Sequence, residues 1–196
     1  MEIFNEYEEK FKKYMDEEES LVKCYKISGN ILAHTLRKYI KDIVNPQYQV
    51  SVVNSYIKGC KIEWDLLILK NTVSEDEINY NIYYPENVVC ALEFKTSGAV
   101  FKKDCKESVD YIKKYLNILK QINIRQINTN IKYGYISLCE IPTNLLAMKE
   151  EYPDNCFWLI EGYYGSRNNP EIIKNSKEEF KEYLKKLINN EWWLMK

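Results

Sequence analysis

Apolar residues recur along this chain with two periods, and the switches between them mark the elements. Phe4, Tyr7, Phe11 and Tyr14, with Leu21 beyond, share one face of a helix over about residues 2–23. Leu32, Leu36, Tyr39, Ile40 and Ile43 line a second helix. It starts at Ser28-Gly29-Asn30, with Ser28 or Asn30 as the cap, and Asn45-Pro46 stops it. Gln49 to Ile57 alternates weakly, as a strand does, and Lys58-Gly59 turns the chain. Lys61 to Leu69 (KIEWDLLIL) and Val88 to Lys95 (VVCALEFK) read as two further strands. The polar stretch 70–87 between them reads as a long hairpin loop, which makes the three strands an antiparallel meander.

Helical spacing returns from about Lys103 to Gln121, with Val109, Ile112, Leu116 and Leu119 as its stripe. Ile131 to Ile141 is then a strand, and the helical crossover makes it parallel to the one before. A short helix at Asn144–Glu151, a strand at Cys156–Tyr163 and a last helix at about Lys177–Trp193 complete the pattern. The expected architecture is one α/β domain over residues 1–196, with a mixed sheet flanked by helices.

Composition adds exclusions. At 196 residues, 45% hydrophobic and 29% charged, the chain is ordinary for a globular domain. No apolar run approaches the roughly 20 residues of a membrane helix. The charged start, MEIFNEYEEKFKKY, lacks a signal-peptide core, so a cytoplasmic protein without membrane contact is expected. The six cysteines are far apart with no C-x-x-C pair, which argues for reduced, mostly buried thiols and against zinc. The wealth of Asn, Ile, Lys and Tyr hints at an AT-rich bacterial genome.

Net charge is -1, but its distribution is uneven. Residues 1–20 hold eight acids against three lysines, while residues 95–132 hold nine bases against three acids. Lys102, Lys103, Lys106, Lys113 and Lys114 make that second segment a candidate contact for a polyanion. A solvated helix face explains the same residues equally well. Tyr111 and Tyr115 interleave with Lys113 and Lys114, suiting base stacking, although tyrosines at helical spacing more often pack at a core or its rim.

The chemistry concentrates in the second and third strands. Glu93 and Lys95 lie two apart on one strand and so face the same way, about 7 Å apart. By parity Val89 and Ala91 share their face, and on the neighbouring strand Glu63, Asp65, Leu67 and Leu69 share one. A carboxylate and an ammonium ending an apolar strand are costly to bury unless paired or metal-bound. Asp65 and Glu93 supply hard oxygen ligands for Mg²⁺, or Mn²⁺ in its place, and Lys95 supplies a cation beside an attacking water. Metal-assisted phosphodiester hydrolysis needs that set. A neutralising ion pair on an edge strand is the plainer alternative.

The helix–three strands–helix–strand order, with Asp65 in EWDLLI and then ALEFKTSG, resembles the PD-(D/E)XK nuclease superfamily. The resemblance implies a restriction-endonuclease-like αβββαβ core over about residues 29–141, with extra N- and C-terminal helices. It implies a Mg²⁺- or Mn²⁺-dependent nuclease acting on DNA, with Asp65, Glu93 and the Phe94 backbone carbonyl on the metal and Lys95 assisting the water. No proline precedes Asp65, and GNILAHTLRKYI lacks the acid that many members carry on the helix before the sheet. His34 or Asn30 is the candidate stand-in there, and Glu63, which shares the Asp65 face, is a separate candidate helper. A catalytically inactive nuclease-fold module that binds nucleic acid or protein is the alternative, and a homodimer is left open.

Overall fold

The computed structural model describes residues 2–15, 21–96, 107–125, 130–140, 142–161 and 175–188. In chain order the helices are α1 (Glu2–Met15), α2 (Leu21–Ile43), α3 (Glu75–Tyr80), α4 (Glu107–Arg125), α5 (Pro142–Glu151) and α6 (Lys177–Ile188). The strands are β1 (Tyr48–Val50), β2 (Ser55–Ile57), β3 (Glu63–Trp64), β4 (Leu66–Lys70), β5 (Ile82–Tyr83), β6 (Val88–Lys95), β7 (Lys132–Glu140) and β8 (Cys156–Glu161). Strand β6 is the centre of a five-stranded sheet of order β1-β4-β6-β7-β8. It pairs antiparallel with β4 and parallel with β7, and β8 is parallel to β7. The meander and the helical crossover are therefore present, and α2-β1-β4-β6-α4-β7 is the expected αβββαβ core.

Helices cover both faces, because a central sheet of apolar strands must bury both. One face of the sheet packs against α1, α2 and α6 through Tyr7, Leu36, Ile40, Phe180 and Leu184. Strand residues Leu66, Ile68, Leu92, Phe94, Ile136 and Leu138 meet them. The other face packs Leu67, Leu69, Ala91, Tyr133 and Tyr135 against Ile112 and Leu119 of α4 and Met148 of α5. Gly134 is in β7 because α6 sits close. A Cβ there would stand 2.6 Å from both Leu187 Cδ2 and Leu92 Cδ2.

The local pattern misled at four places. Each of the first two expected strands is cut in two by a corner. Strands β1 and β4 pair in the main sheet, while β2 and β3 pair in a second sheet of order β3-β2-β5. The corners lie side by side. Asn54 N–H donates to the Asp65 carbonyl at 3.2 Å, and Ser51 N–H donates to the Leu67 carbonyl at 3.0 Å. Asn54 takes φ 62°, a left-handed conformation that Asn tolerates, and the Ser55 hydroxyl bonds the Ser51 hydroxyl across the corner at 2.8 Å. Polar side chains that bond nearby backbone offer the chain an alternative to the ladder, which alternation alone does not reveal.

The stretch 70–87 is also more than a loop, since it contains α3 and β5. Buried Glu77 organises it by accepting hydrogen bonds from the Ser74 and Tyr84 N–H groups at 2.9 and 2.8 Å and from Asn87 Nδ2 at 3.0 Å. Helix α2 spans Leu21–Ile43, so Ser28 and Asn30 lie inside it and do not start it. Ser28 is buried instead, its hydroxyl 2.7 Å from that of Tyr7, so packing of α1 on α2 overrides the local start signal. Finally, a register shift between β4 and β6 puts Val88 on the α4 side and Val89 on the α2 side, against simple parity. Of the expected first helix over 2–23, residues 16–20 lie outside the described residues, and Leu21 to Lys23 belong to α2 instead. The expected start of α4 before Glu107 and end of α6 beyond Ile188 also lie outside the described residues.

Candidate active site

Asp65 occupies the corner where the chain leaves the small sheet at Trp64 and enters β4 at Leu66. A corner frees its carboxylate from the ladder. Its Oδ2 accepts a 2.6 Å hydrogen bond from the Phe94 N–H of β6. Leu66 opposes Leu92, so Asp65 lies level with the Glu93 end of β6. Glu93 is 5% exposed, and Lys95 Nζ reaches its Oε1 at 2.5 Å. The three residues that the sequence grouped are thus brought together on the α4 side of the sheet, at the end of β6.

An aromatic wall closes the site. The Tyr115 ring stacks on Tyr111 at 6.0 Å and on Tyr133 at 5.6 Å, and the Trp64 ring meets Tyr115 edge-on at 5.1 Å. Lys95 Nζ lies 4.9 Å from the centre of the Tyr111 ring, within cation–π range. The Tyr115 hydroxyl approaches Glu93 Oε1 at 3.5 Å, long for an O–H···O bond. Tyr115 is buried, so it belongs to the core and is closed to base stacking, while Tyr111 is half-buried at the rim.

The electrostatics follow from two anions sharing one cation out of water. Burial pushes Glu93 up to about 7, and the nearby Asp65 charge adds to this while Lys95 opposes it. Burial raises Asp65 too, although the Phe94 N–H and Lys95 pull it down. For Lys95 burial acts to lower the value, but Glu93 and Asp65 outweigh it and hold the ammonium charged. With both acids ionised the cluster carries one uncompensated negative charge.

That excess charge suits a divalent cation. Among the described residues, Asp65 Oδ1 and Glu93 Oε2 take no hydrogen bond. Mg²⁺ needs only one or two carboxylates when waters and phosphate oxygens complete its shell. Among the described residues no group of three or more His, Cys, Asp and Glu side chains forms a richer metal cluster.

The other expected site residues divide. Glu63 stays near Asp65 and its charge acts on it, but Glu63 is exposed and accepts a 2.5 Å bond from the Tyr56 hydroxyl. His34 is exposed on α2, whose buried stripe packs on the opposite face of the sheet, so it is not brought to the carboxylates. Phe94 contributes its amide N–H, to Asp65. Lys113 and Lys114 are exposed on α4, and Lys114 Nζ lies 5.6 Å from the Tyr115 ring centre. Lys102, Lys103 and Lys106 lie outside the described residues. Sequence reading passed over Tyr133 and Ser137. They were discoverable as alternate positions of β7, which the parallel pairing places on the Glu93–Lys95 face.

Cys60, Cys90, Cys139 and Cys156 are in no disulfide among the described residues, and Cys90, Cys139 and Cys156 are buried. No helix among the described residues is long and apolar enough to cross a membrane.

No protein-family model matches this chain, and no curated protein does. Solved structures do. The cAAA-bound form of NucC from P. aeruginosa ATCC27853 superposes with a TM-score of 0.54 at 11% identity, covering 95% of this chain and 86% of that one. The cAAA-bound form of E. coli MS115-1 NucC gives 0.49 at 10% identity, covering 95% and 87%. Its apo form gives 0.44 at 12%, covering 95% and 88%. NucC is a nuclease of restriction-endonuclease-like fold, and the first of these likenesses shows that this chain shares the fold.

Proposed function

We propose that this chain is a divalent-cation-dependent nuclease that hydrolyses phosphodiester bonds in DNA. One observation carries the reading. On a restriction-endonuclease-like fold, Asp65 is fixed on the Phe94 N–H beside buried Glu93, and Lys95 closes on Glu93 at 2.5 Å. In this reading Asp65 and Glu93 hold Mg²⁺ or Mn²⁺. The cation, when bound, lowers the pKa of a water and stabilises charge on the scissile phosphate. Lys95 holds positive charge where the phosphate charge builds up and orients the attacking water. Tyr111 and Tyr115 keep the lysine head in place from the α4 side, through the ring contact at 4.9 Å and the stack at 6.0 Å. Lys113 and Lys114 contact backbone phosphates, as do Lys102, Lys103 and Lys106 ahead of them in the chain. The nuclease identity of the structural neighbour supports the reaction class.

The test is incubation of supercoiled plasmid and single-stranded DNA with Mg²⁺ or Mn²⁺, with chelator controls. The expected result is cleavage that requires the cation and falls by about 100-fold or more in Lys95→Ala. The small ligand set, two carboxylates with no third acid among the described residues, favours a second reading as a binding module without catalysis. DNA retained without cleavage by either protein would establish that reading instead.

A further inference from the structure

Strand β7 places a buried hydroxyl beside Lys95. In the parallel pairing of β6 and β7, Lys95 is opposite Ser137, so the two side chains leave the sheet on the same face. Ser137 is 0% exposed, and its Oγ has no hydrogen-bond partner among the described residues. A buried hydroxyl without a partner is uncommon and costs stability, so it calls for an explanation. On the far side of Ser137 its partner in β8 is Trp158. The Trp158 Nε1 is a donor without acceptor capacity, also unpartnered, and Lys149 Nζ lies 4.7 Å over that ring. Of the groups in this row, Lys95 has the flexible cationic head that Ser137 can accept from.

The sheet order gives the pair a direction. Asp65 lies on the β4 side of β6 and Ser137 on the β7 side. Lys95 now points to Glu93, drawn by two carboxylates. Once Asp65 and Glu93 share a divalent cation, their two negative charges are neutralised and their pull on the ammonium is largely cancelled, so Lys95 needs an acceptor on the side away from Asp65. We infer that Ser137 is a positioning residue: its Oγ receives the Lys95 ammonium when the carboxylates take a divalent cation. The inference rests on the metal-dependent reading of the site. It gives the unpartnered hydroxyl a use and keeps Lys95 within the site when Glu93 no longer holds it.

Calorimetric titration of Mn²⁺ into the wild type, Ser137→Ala, Lys95→Met and the double variant tests this. Ser137→Ala is expected to weaken Mn²⁺ binding about tenfold, because a hydrogen bond to a charged group is lost only in the bound state. In metal-free buffer the same variant is expected to unfold at the wild-type urea concentration or above. In the Lys95→Met background the substitution is expected to change affinity less than twofold. Ser137→Cys, nearly the same size with a weak acceptor, should weaken Mn²⁺ binding in the same direction and guards against a packing artefact. A wild type that binds Mn²⁺ while Ser137→Ala binds equally well overturns this inference alone. An equal loss in both backgrounds also overturns it, since the effect then bypasses Lys95. A wild type that binds no Mn²⁺ overturns the inference and the metal-dependent reading together.

Discussion

Replacing Glu93 by glutamine is expected to strengthen the metal-free fold at alkaline pH and not at acid pH. Burial, with the Asp65 charge beside it, pushes the Glu93 carboxyl from 4.5 up to about 7 against the pull of Lys95. The native state thus keeps a proton that the unfolded chain releases, and stability falls as pH rises through that window. Above it the whole cost is in place, roughly 3 kcal/mol for a change of that size. The pull of Lys95 is already inside that figure, and the extra buried N–H of the glutamine amide, which a carboxyl lacks, takes back about 1 kcal/mol. The net gain at pH 8 is about 2 kcal/mol, or roughly 4–8 °C in Tm for a chain of this length. At pH 5 Glu93 is already protonated in the native state, and the two proteins come within about 1 kcal/mol. Urea unfolding followed by tryptophan fluorescence, in chelator at pH 5 and pH 8, measures both values. A variant weaker than wild type at pH 8, or an offset identical at the two pH values, would refute the account of a strained, partly compensated anion.

Three further expectations follow from the same geometry. Glu77→Ala should cost about 2–4 kcal/mol at pH 7, because it strips partners from the Ser74 and Tyr84 N–H groups and from Asn87. Burial acts to raise the Glu77 carboxyl, but the bonds from Asn87, Ser74 and Tyr84 outweigh it and hold the value below 4.5. Its contribution is therefore present above that value and lost as pH falls through the lower native one, so the penalty measured by urea unfolding should shrink toward pH 3. Gly134→Ala should cost about 1–3 kcal/mol, since the new methyl meets Leu187 and Leu92 and forces α6 or its side chains to give. An unchanged unfolding midpoint would show that the helix yields freely. Tyr115→Phe should leave stability within about 1 kcal/mol, its hydroxyl contact being long, yet move the acid limb of cation-dependent cleavage to higher pH. The hydroxyl helps hold Glu93 ionised, and an unmoved limb would dismiss it.

Much of the site was legible because its logic is local. Glu93 and Lys95 share a face wherever VVCALEFK is extended, and an acid in an apolar run has few harmless explanations. The helix between β6 and β7 made their parallel pairing readable too, since an antiparallel return has no use for a crossover. The buried stripe of α2 was readable from spacing alone, and Leu32, Leu36 and Ile40 are each 0% exposed.

Other features depend on partners that are distant along the chain. Lys61 to Leu69 has the pattern of one strand, and it became two because Asn54 and Ser51 pin the Asp65–Leu67 backbone from a neighbouring corner. His34 stood on the helix before the sheet, but that helix packs on the face away from Glu93. Ser137 looked like any polar residue in a strand until β6 was laid beside it with Lys95 in register. Residue order alone determined which side chains carry the chemistry and which way they alternate, because alternation is a property of each strand by itself. Only the tertiary structure decided which strands bend, which face each helix covers, and that Asp65 and Ser137 flank Lys95 from opposite sides. Those outcomes are set by hydrogen bonds and packing between segments tens of residues apart, which no local period encodes.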